Sequence, residues 1–266
     1  MEMKELLALD SEGLIPGPGE SEENFCQRVQ AVKECFHGQE MPLAPHHWQW
    51  ASEQLQALYG FYPRWCCASY SSKGLAPWQA AATWIDVKRV YTIQLRPSKW
   101  LSWLVDADEV LAHEAVHAAR AAFNEPKSEE LLAYLTSSAK WRQVIGPLFR
   151  QPKEALILMT LIGSGAILQV MEAVWDVFLG SSGCFFTAAI LCCGWSFRLL
   201  RMRKRFERAA RHLAPQLRDP AMVRAVLFRL TDDEIVQLSR GKSFLANNDL
   251  RWRVIRCKYF KNLFNI

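Results

Sequence analysis

The chain has 266 residues, half of them hydrophobic, and carries 32 Lys and Arg against 27 Asp and Glu, for a net charge of +5. Its eight cysteines include the adjacent pairs Cys66-Cys67 and Cys192-Cys193 and no C-x-x-C, so they read as free thiols in a reducing setting rather than as a disulfide framework. The excess positive charge falls beyond residue 198 without any nucleic-acid-binding motif beside it, so nucleic acid is not an expected partner.

Residues 1–20 are acidic and contain Pro16-Gly17-Pro18-Gly19, the pattern of a flexible N-terminal arm. The acidic residues of Met1–Asp10 and the lack of an apolar core there argue against a secretory signal. Residues 21–60 read as helical. His46 and His47 follow Pro45 at a helix start, where adjacent side chains point apart, so they read as surface residues rather than as a metal pair. Trp65–Tyr70 and Arg89–Leu95 are rich in β-formers and predict strands, the second ended by Pro97, with a short helix over Gln79–Ile85 between them.

Asp106 followed by Glu109 has the spacing of a capping box and opens a helix. Val110, Leu111, Val116 and Ala121 or Ala122 give it an apolar stripe ending near Phe123, and Asn124 and Pro126 stop it. Within this helix stands His113-Glu114-Ala115-Val116-His117. Histidines four apart share one helix face, where both can bind a single zinc, and the intervening glutamate is placed to handle the proton of an activated water. A short loop and a second helix follow, capped at Ser128, with Leu131, Leu132 and Leu135 as its buried side. The two helices are then antiparallel neighbours, and a glutamate in the first turn of the second can reach back to the metal.

A His-Glu-x-x-His helix, a proline-containing loop and then Glu-x-Leu-Ala-Tyr resemble the gluzincin metallopeptidases over about residues 90–140. The resemblance implies His113 and His117 as metal ligands, Glu114 as general base and a small sheet ahead of the motif whose edge strand takes an extended substrate. It implies Glu130 as third ligand, because Ala133 follows it by three residues as in the family pattern. Glu129 is the alternative and Glu125, at the loop, a weaker one. The spacer is shorter than in thermolysin-like members and no aspartate follows Ala133, which leaves the subfamily open. The chemistry implied is hydrolysis of peptide bonds in a protein or peptide substrate with Zn²⁺ as cofactor. Tyr134 and Arg120, each about one helical turn from an implied ligand, are candidates for the second electrophile that a tetrahedral intermediate requires.

Ala155–Met171 and Cys184–Phe197 are two apolar runs joined through Gly180-Ser181-Ser182-Gly183, and they predict a transmembrane hairpin over residues 155–200. Two buried helices of a soluble protein are the alternative. Trp175 and Trp195 suit the membrane interface. Arg142, Arg150 and Lys153 precede the hairpin, a cluster from Arg198 to Arg211 follows it, and its turn has no Lys or Arg, so both ends are expected in the cytoplasm. The basic cluster over 198–211 suits anionic lipid head groups. Pro220–Leu238 reads as helical with a cap at Thr231-Asp232-Asp233-Glu234, and Arg251–Lys261 is basic and aromatic. The expectation is an α+β chain: a flexible arm (1–20), a mostly helical metallopeptidase domain with a small sheet (21–150), a membrane hairpin (155–200) and a cytoplasmic basic helical region (201–266). The competing class is a non-enzymatic membrane protein in which the histidine motif is structural or accidental.

Overall fold

Helices dominate the computed structural model, which describes residues 1–37, 45–75, 79–85, 91–97, 106–217, 219–242 and 249–260. Helix α1 (Met3–Ser11) buries Leu6 and Leu9 together with Asp10. The Asp10 carboxylate accepts from Arg229 Nε at 2.7 Å and Nη2 at 2.9 Å, and from Lys258 Nζ at 2.7 Å. The loose arm predicted for residues 1–20 is therefore corrected. Leu14 and Ile15 continue into the core, and an ion pair closed off from water anchors the segment to the far end of the chain.

Helices α2 (Glu22–His37) and α3 (Pro45–Tyr59) follow; the side chains of His46 and His47 lie outside the described residues. Three strands, β1 (Cys67–Tyr70), β2 (Ala81–Ile85) and β3 (Tyr91–Leu95), form a sheet in the order β1-β3-β2. β1 runs parallel to β3 with Cys67 opposite Thr92, and β2 runs antiparallel to it with Ala81 opposite Leu95. The helix predicted over 79–85 is thus a strand. A segment this short is a poor helix nucleus, whereas β3 supplies its backbone with partners and Trp84 Nε1 donates to Gln94 Oε1 at 2.7 Å.

Helix α4 (Ala107–Arg120) packs between α3 and the sheet through Leu111, Ala112, Ala115, Val116, Ala118 and Ala119. Small residues on this face let neighbours approach closely while leaving the polar positions of the motif on the other side. Asp106 caps α4 by accepting from Asp108 N at 3.1 Å, as predicted, but Glu109 does not complete a capping box. Its carboxylate takes Ser137 Oγ at 2.9 Å, Ser138 N at 3.1 Å and Arg142 at 3.0 Å, tying α4 to the segment after α5.

After a 3-10 turn ending in left-handed Asn124 (φ 51°), α5 (Pro126–Tyr134) doubles back on α4. Ser128, predicted to cap this helix, instead donates to a carboxylate from another helix. Asp232 accepts from Lys127 N at 3.2 Å and from Ser128 N at 3.0 Å, while Asp232 N donates to Glu125 at 2.6 Å. Each carboxylate satisfies the unpaired N–H groups at the start of the other's helix.

Helix α6 (Lys140–Ile145) leads to α7 (Pro152–Trp175) and α8 (Ser181–Leu217), the two helices long and apolar enough to cross a membrane. Only 6% and 11% of their most apolar windows are buried, whereas a helix in the core of a soluble protein would be covered. They cross at Gly165, where a Cβ would come within 3.1 Å of Cys184 Cβ, the close approach that small residues permit between membrane helices. At the far end Glu172 accepts from Leu179 N, Ser181 N and Ser181 Oγ at 2.5–3.0 Å and closes the turn. At the near end Arg198 pairs with Glu154 at 2.6 Å and Trp195 meets Phe149 edge-on.

Helices α9 (Pro220–Phe228), α10 (Asp232–Leu238) and α11 (Leu250–Tyr259) complete the chain, with the predicted Thr231/Glu234 capping box in place. They pack partly in a cluster of their own, where Val226, Leu227, Ile235 and Trp252 meet Leu213 and Leu217 of α8, and partly against the rest of the chain. Phe228, Leu250 and Val254 belong to the same core as Leu6, Tyr59 and Leu132, and Phe228 stacks on Tyr59 at 4.3 Å. Helices α7 and α8 leave this body of the molecule and return to it.

Candidate metal centre

One face of α4 and the N-terminal half of α5 bring His113, His117 and Glu130 together as a group that could hold a metal ion. The two imidazole Nε2 atoms stand 3.2 Å apart, and Glu130 oxygens lie 3.7 Å from His113 Nε2 and 3.6 Å from His117 Nε2. Tetrahedral ligands at roughly 2.0–2.1 Å from a zinc ion are about 3.3 Å apart, so the three donors need only small movements to share one ion. Two imidazoles and a carboxylate suit zinc, and other first-row divalent ions as well. Each of the three side chains keeps about a fifth of its surface exposed, so the group is open to solvent.

Glu129 and Glu130, the two alternatives for the third ligand, occupy different places. Glu129 Oε1 lies 2.5 Å from His117 Nδ1, on the side of the ring away from the shared centre. A carboxylate there fixes the tautomer whose Nε2 lone pair faces the metal position, the usual support for a metal-binding histidine. Glu125, the weaker alternative, accepts from Asp232 N and belongs to the joint between α5 and α10.

The electrostatics of the group follow from crowding. Burial and the neighbouring His117 push the His113 imidazole well below its ordinary value. Burial also opposes charge on His117, but the hydrogen bond it donates to Glu129 and the charges of Glu130 and Glu114 outweigh it and raise the ring to about 9. Burial lifts the Glu130 carboxyl to about 7, partly offset by His117 and reinforced by Glu114 and Glu129. Without a cation the cluster holds protons that a metal ion must displace.

Glu114 sits on the same helix beside the sheet, and its Oε2 accepts from Thr83 Oγ1 of β2 at 2.7 Å. Its other oxygen has no hydrogen-bond partner among the described residues. The Tyr134 ring stands edge-on to His113, with centroids 4.7 Å apart, and is backed by Gly146. A Cβ at Gly146 would lie 2.2 Å from that ring, so the close approach requires glycine. Burial, with Glu130 and Glu114 nearby, pushes the Tyr134 phenol up to about 12, so it stays protonated at neutral pH. His113, Glu114 and Tyr134 line an open cleft of about 360 Å³, together with Ala81 on the edge strand β2 and Trp141 on α6.

Arg120, the other candidate electrophile, is corrected. It is fully buried, donates to the carbonyls of Phe228 and Leu230, and lies over the Phe123 ring at 4.4 Å. Arg120 stands two helical turns beyond His113, and its guanidinium is taken up by the end of α9 rather than by the motif. Thr83 and Gly146 were missed by reading the motif alone. A threonine in a strand predicted as a helix, and a glycine ahead of a proline, give no local sign of touching Glu114 or Tyr134. Comparison of the chain with family models, with curated proteins and with solved structures gave no match, so the likeness to gluzincins rests on the motif residues and on this geometry.

Proposed function

We propose that the chain is a membrane-anchored zinc metallopeptidase, with its catalytic face on the cytoplasmic side of the bilayer. The observation that carries the proposal is the convergence of His113, His117 and Glu130 at metal-sharing distances with Glu114 at the wall of an open cleft. Zinc bound there would supply a Lewis acid that lowers the pKa of water to roughly 7 and polarises a carbonyl.

The remaining work falls to side chains. Glu114, oriented by Thr83, takes a proton from the attacking water and returns it to the departing amine as the C–N bond breaks, giving a carboxylate and an amine. Tyr134 keeps its proton and donates a hydrogen bond to the oxyanion of the tetrahedral intermediate. An extended substrate pairs with the edge of β2 away from β3, which has no strand partner among the described residues and whose Ala81 lies in the cleft. Trp141, Val144 and Ile145 are exposed on α6, a few residues before α7 begins, which favours a peptide segment presented close to the membrane surface. The charge flanking the hairpin supports the cytoplasmic orientation.

The test is metal content by plasma mass spectrometry, with Glu114→Gln used to trap uncleaved substrate. About one zinc per chain, lost in His117→Ala, together with peptide captured by Glu114→Gln and cleaved by the wild type, is the expected result. A protein that takes up no zinc when supplied with it, or hydrolysis unchanged in Glu114→Gln, refutes the peptidase.

A further inference from the structure

Helix α8, with 37 residues, is about 55 Å long, far more than the roughly 30 Å of a bilayer's hydrocarbon core. Its second half therefore projects beyond the apolar region, and there its composition turns basic. Positions 197, 201, 204, 205 and 208 fall on one helical stripe. Arg201, Lys204, Arg205 and Arg208 from this stripe meet Arg240, which follows α10, around a cavity of about 410 Å³.

No carboxylate lines the cavity, and none of the five cations has an ion-pair partner among the described residues. Their neighbours are otherwise provided for: Arg198 pairs with Glu154, and Arg203 donates to the carbonyls of Gln143 and Val144. Partial burial and the fields of Arg201 and Arg240 hold Arg205 below the ordinary arginine value. Five like charges around a cavity repel one another unless an anion occupies it. The wall toward the apolar half of α8 is made by Phe197 and Leu200, which are 68% and 57% exposed. A purely ionic ligand would have no use for that wall. An amphiphile would use both parts.

We propose that this cavity binds the phosphate headgroup of an anionic phospholipid, with an acyl chain lying along Phe197 and Leu200. The proposal shares with the proposed function only the insertion of the hairpin in a bilayer, and it is independent of the metal centre. Arginine and lysine at this spacing can give one headgroup several charge-assisted hydrogen bonds.

The experiment is native mass spectrometry of the full-length protein in a non-ionic detergent, titrated with phosphatidylglycerol or with phosphatidylcholine. Arg205→Gln/Arg240→Gln is the variant, Arg205→Lys the conservative one and Arg253→Gln a surface control, with circular dichroism and tryptophan fluorescence as the check on folding. Phosphatidylglycerol is expected to bind the wild type at least about tenfold more tightly than phosphatidylcholine. That preference should vanish in the double variant and persist in Arg205→Lys, in Arg253→Gln and in Glu114→Gln. Equal retention of the two lipids, or a preference that survives the double variant, overturns the site. Displacement of the lipid by an equal concentration of pyrophosphate would assign the cavity to a soluble phosphate and overturn the lipid. Release of the protein by carbonate extraction of membranes would identify a failure of the hairpin rather than of the cavity.

Discussion

Replacing Glu129 by Gln tests how the two adjacent glutamates divide the work. Glu129 lies 2.5 Å from His117 Nδ1, whereas Glu130 reaches toward the Nε2 atoms of both histidines. Glu129→Gln keeps the volume and a hydrogen-bonding group but removes the charge that sets the tautomer and basicity of His117. Loss of such a supporting partner weakens metal binding by about 10–100-fold, or roughly 1.4–2.7 kcal/mol. Glu130→Gln removes a donor, and the loss should be larger, taking the stoichiometry well below one at micromolar zinc. Competition against a fluorescent chelator at pH 7.5 measures both, with bound metal counted by mass spectrometry. The unliganded His117 ring, now near 9 because of Glu129, should also titrate lower in Glu129→Gln, by NMR of the metal-free protein. If Glu130→Gln keeps stoichiometric, tight zinc while Glu129→Gln loses it, the assignment is reversed and the geometric reasoning fails.

Metal affinity should climb with pH. His117, raised to about 9, must lose its proton on binding, so zinc affinity rises about tenfold per pH unit from 7 to 9 and more steeply below 7, where Glu130 also releases one; calorimetry in buffers of different ionisation enthalpy checks this. In the metal-free protein the sign for stability is opposite: the stabilisation from the raised His117 is complete below its ordinary value of 6.5 and is lost as pH rises through about 9. Gly146→Ala should drive the Tyr134 ring from its place and lower kcat by about 10²–10³ at unchanged zinc content, while unchanged turnover would remove Tyr134 from the mechanism. Asp10→Asn leaves Arg229 buried with a weakened partner and should cost about 3–5 kcal/mol in denaturant unfolding monitored by tryptophan fluorescence. Burial works to raise the Asp10 carboxyl, but Arg229 and Lys258 hold it below its ordinary value, so its contribution is present above about pH 4 and fades on further acidification.

What could be read without coordinates was local. His113 and His117 share a face, with Glu114 beside it, because the helical repeat puts them there, Asp106 and Thr231 cap because their side chains reach N–H groups two or three residues on, and the two apolar runs announce their length and composition directly. The tertiary structure decided every matter that depends on residues far apart in the chain. It turned 79–85 into a strand because β3 was available to pair with it, and gave Glu109 and Ser128 partners other than their own helix ends. It separated Glu129 from Glu130, which are alike in local sequence but project in different directions from successive positions of α5. It buried Arg120 under α9, and bound residues 1–20 into the core through an Asp10–Arg229 pair that joins positions 219 residues apart. Helix periodicity and capping act over a few residues and leave a mark in the sequence there. Burial and ion pairing are set by the surroundings, which for this chain come from both ends and from either side of a hairpin.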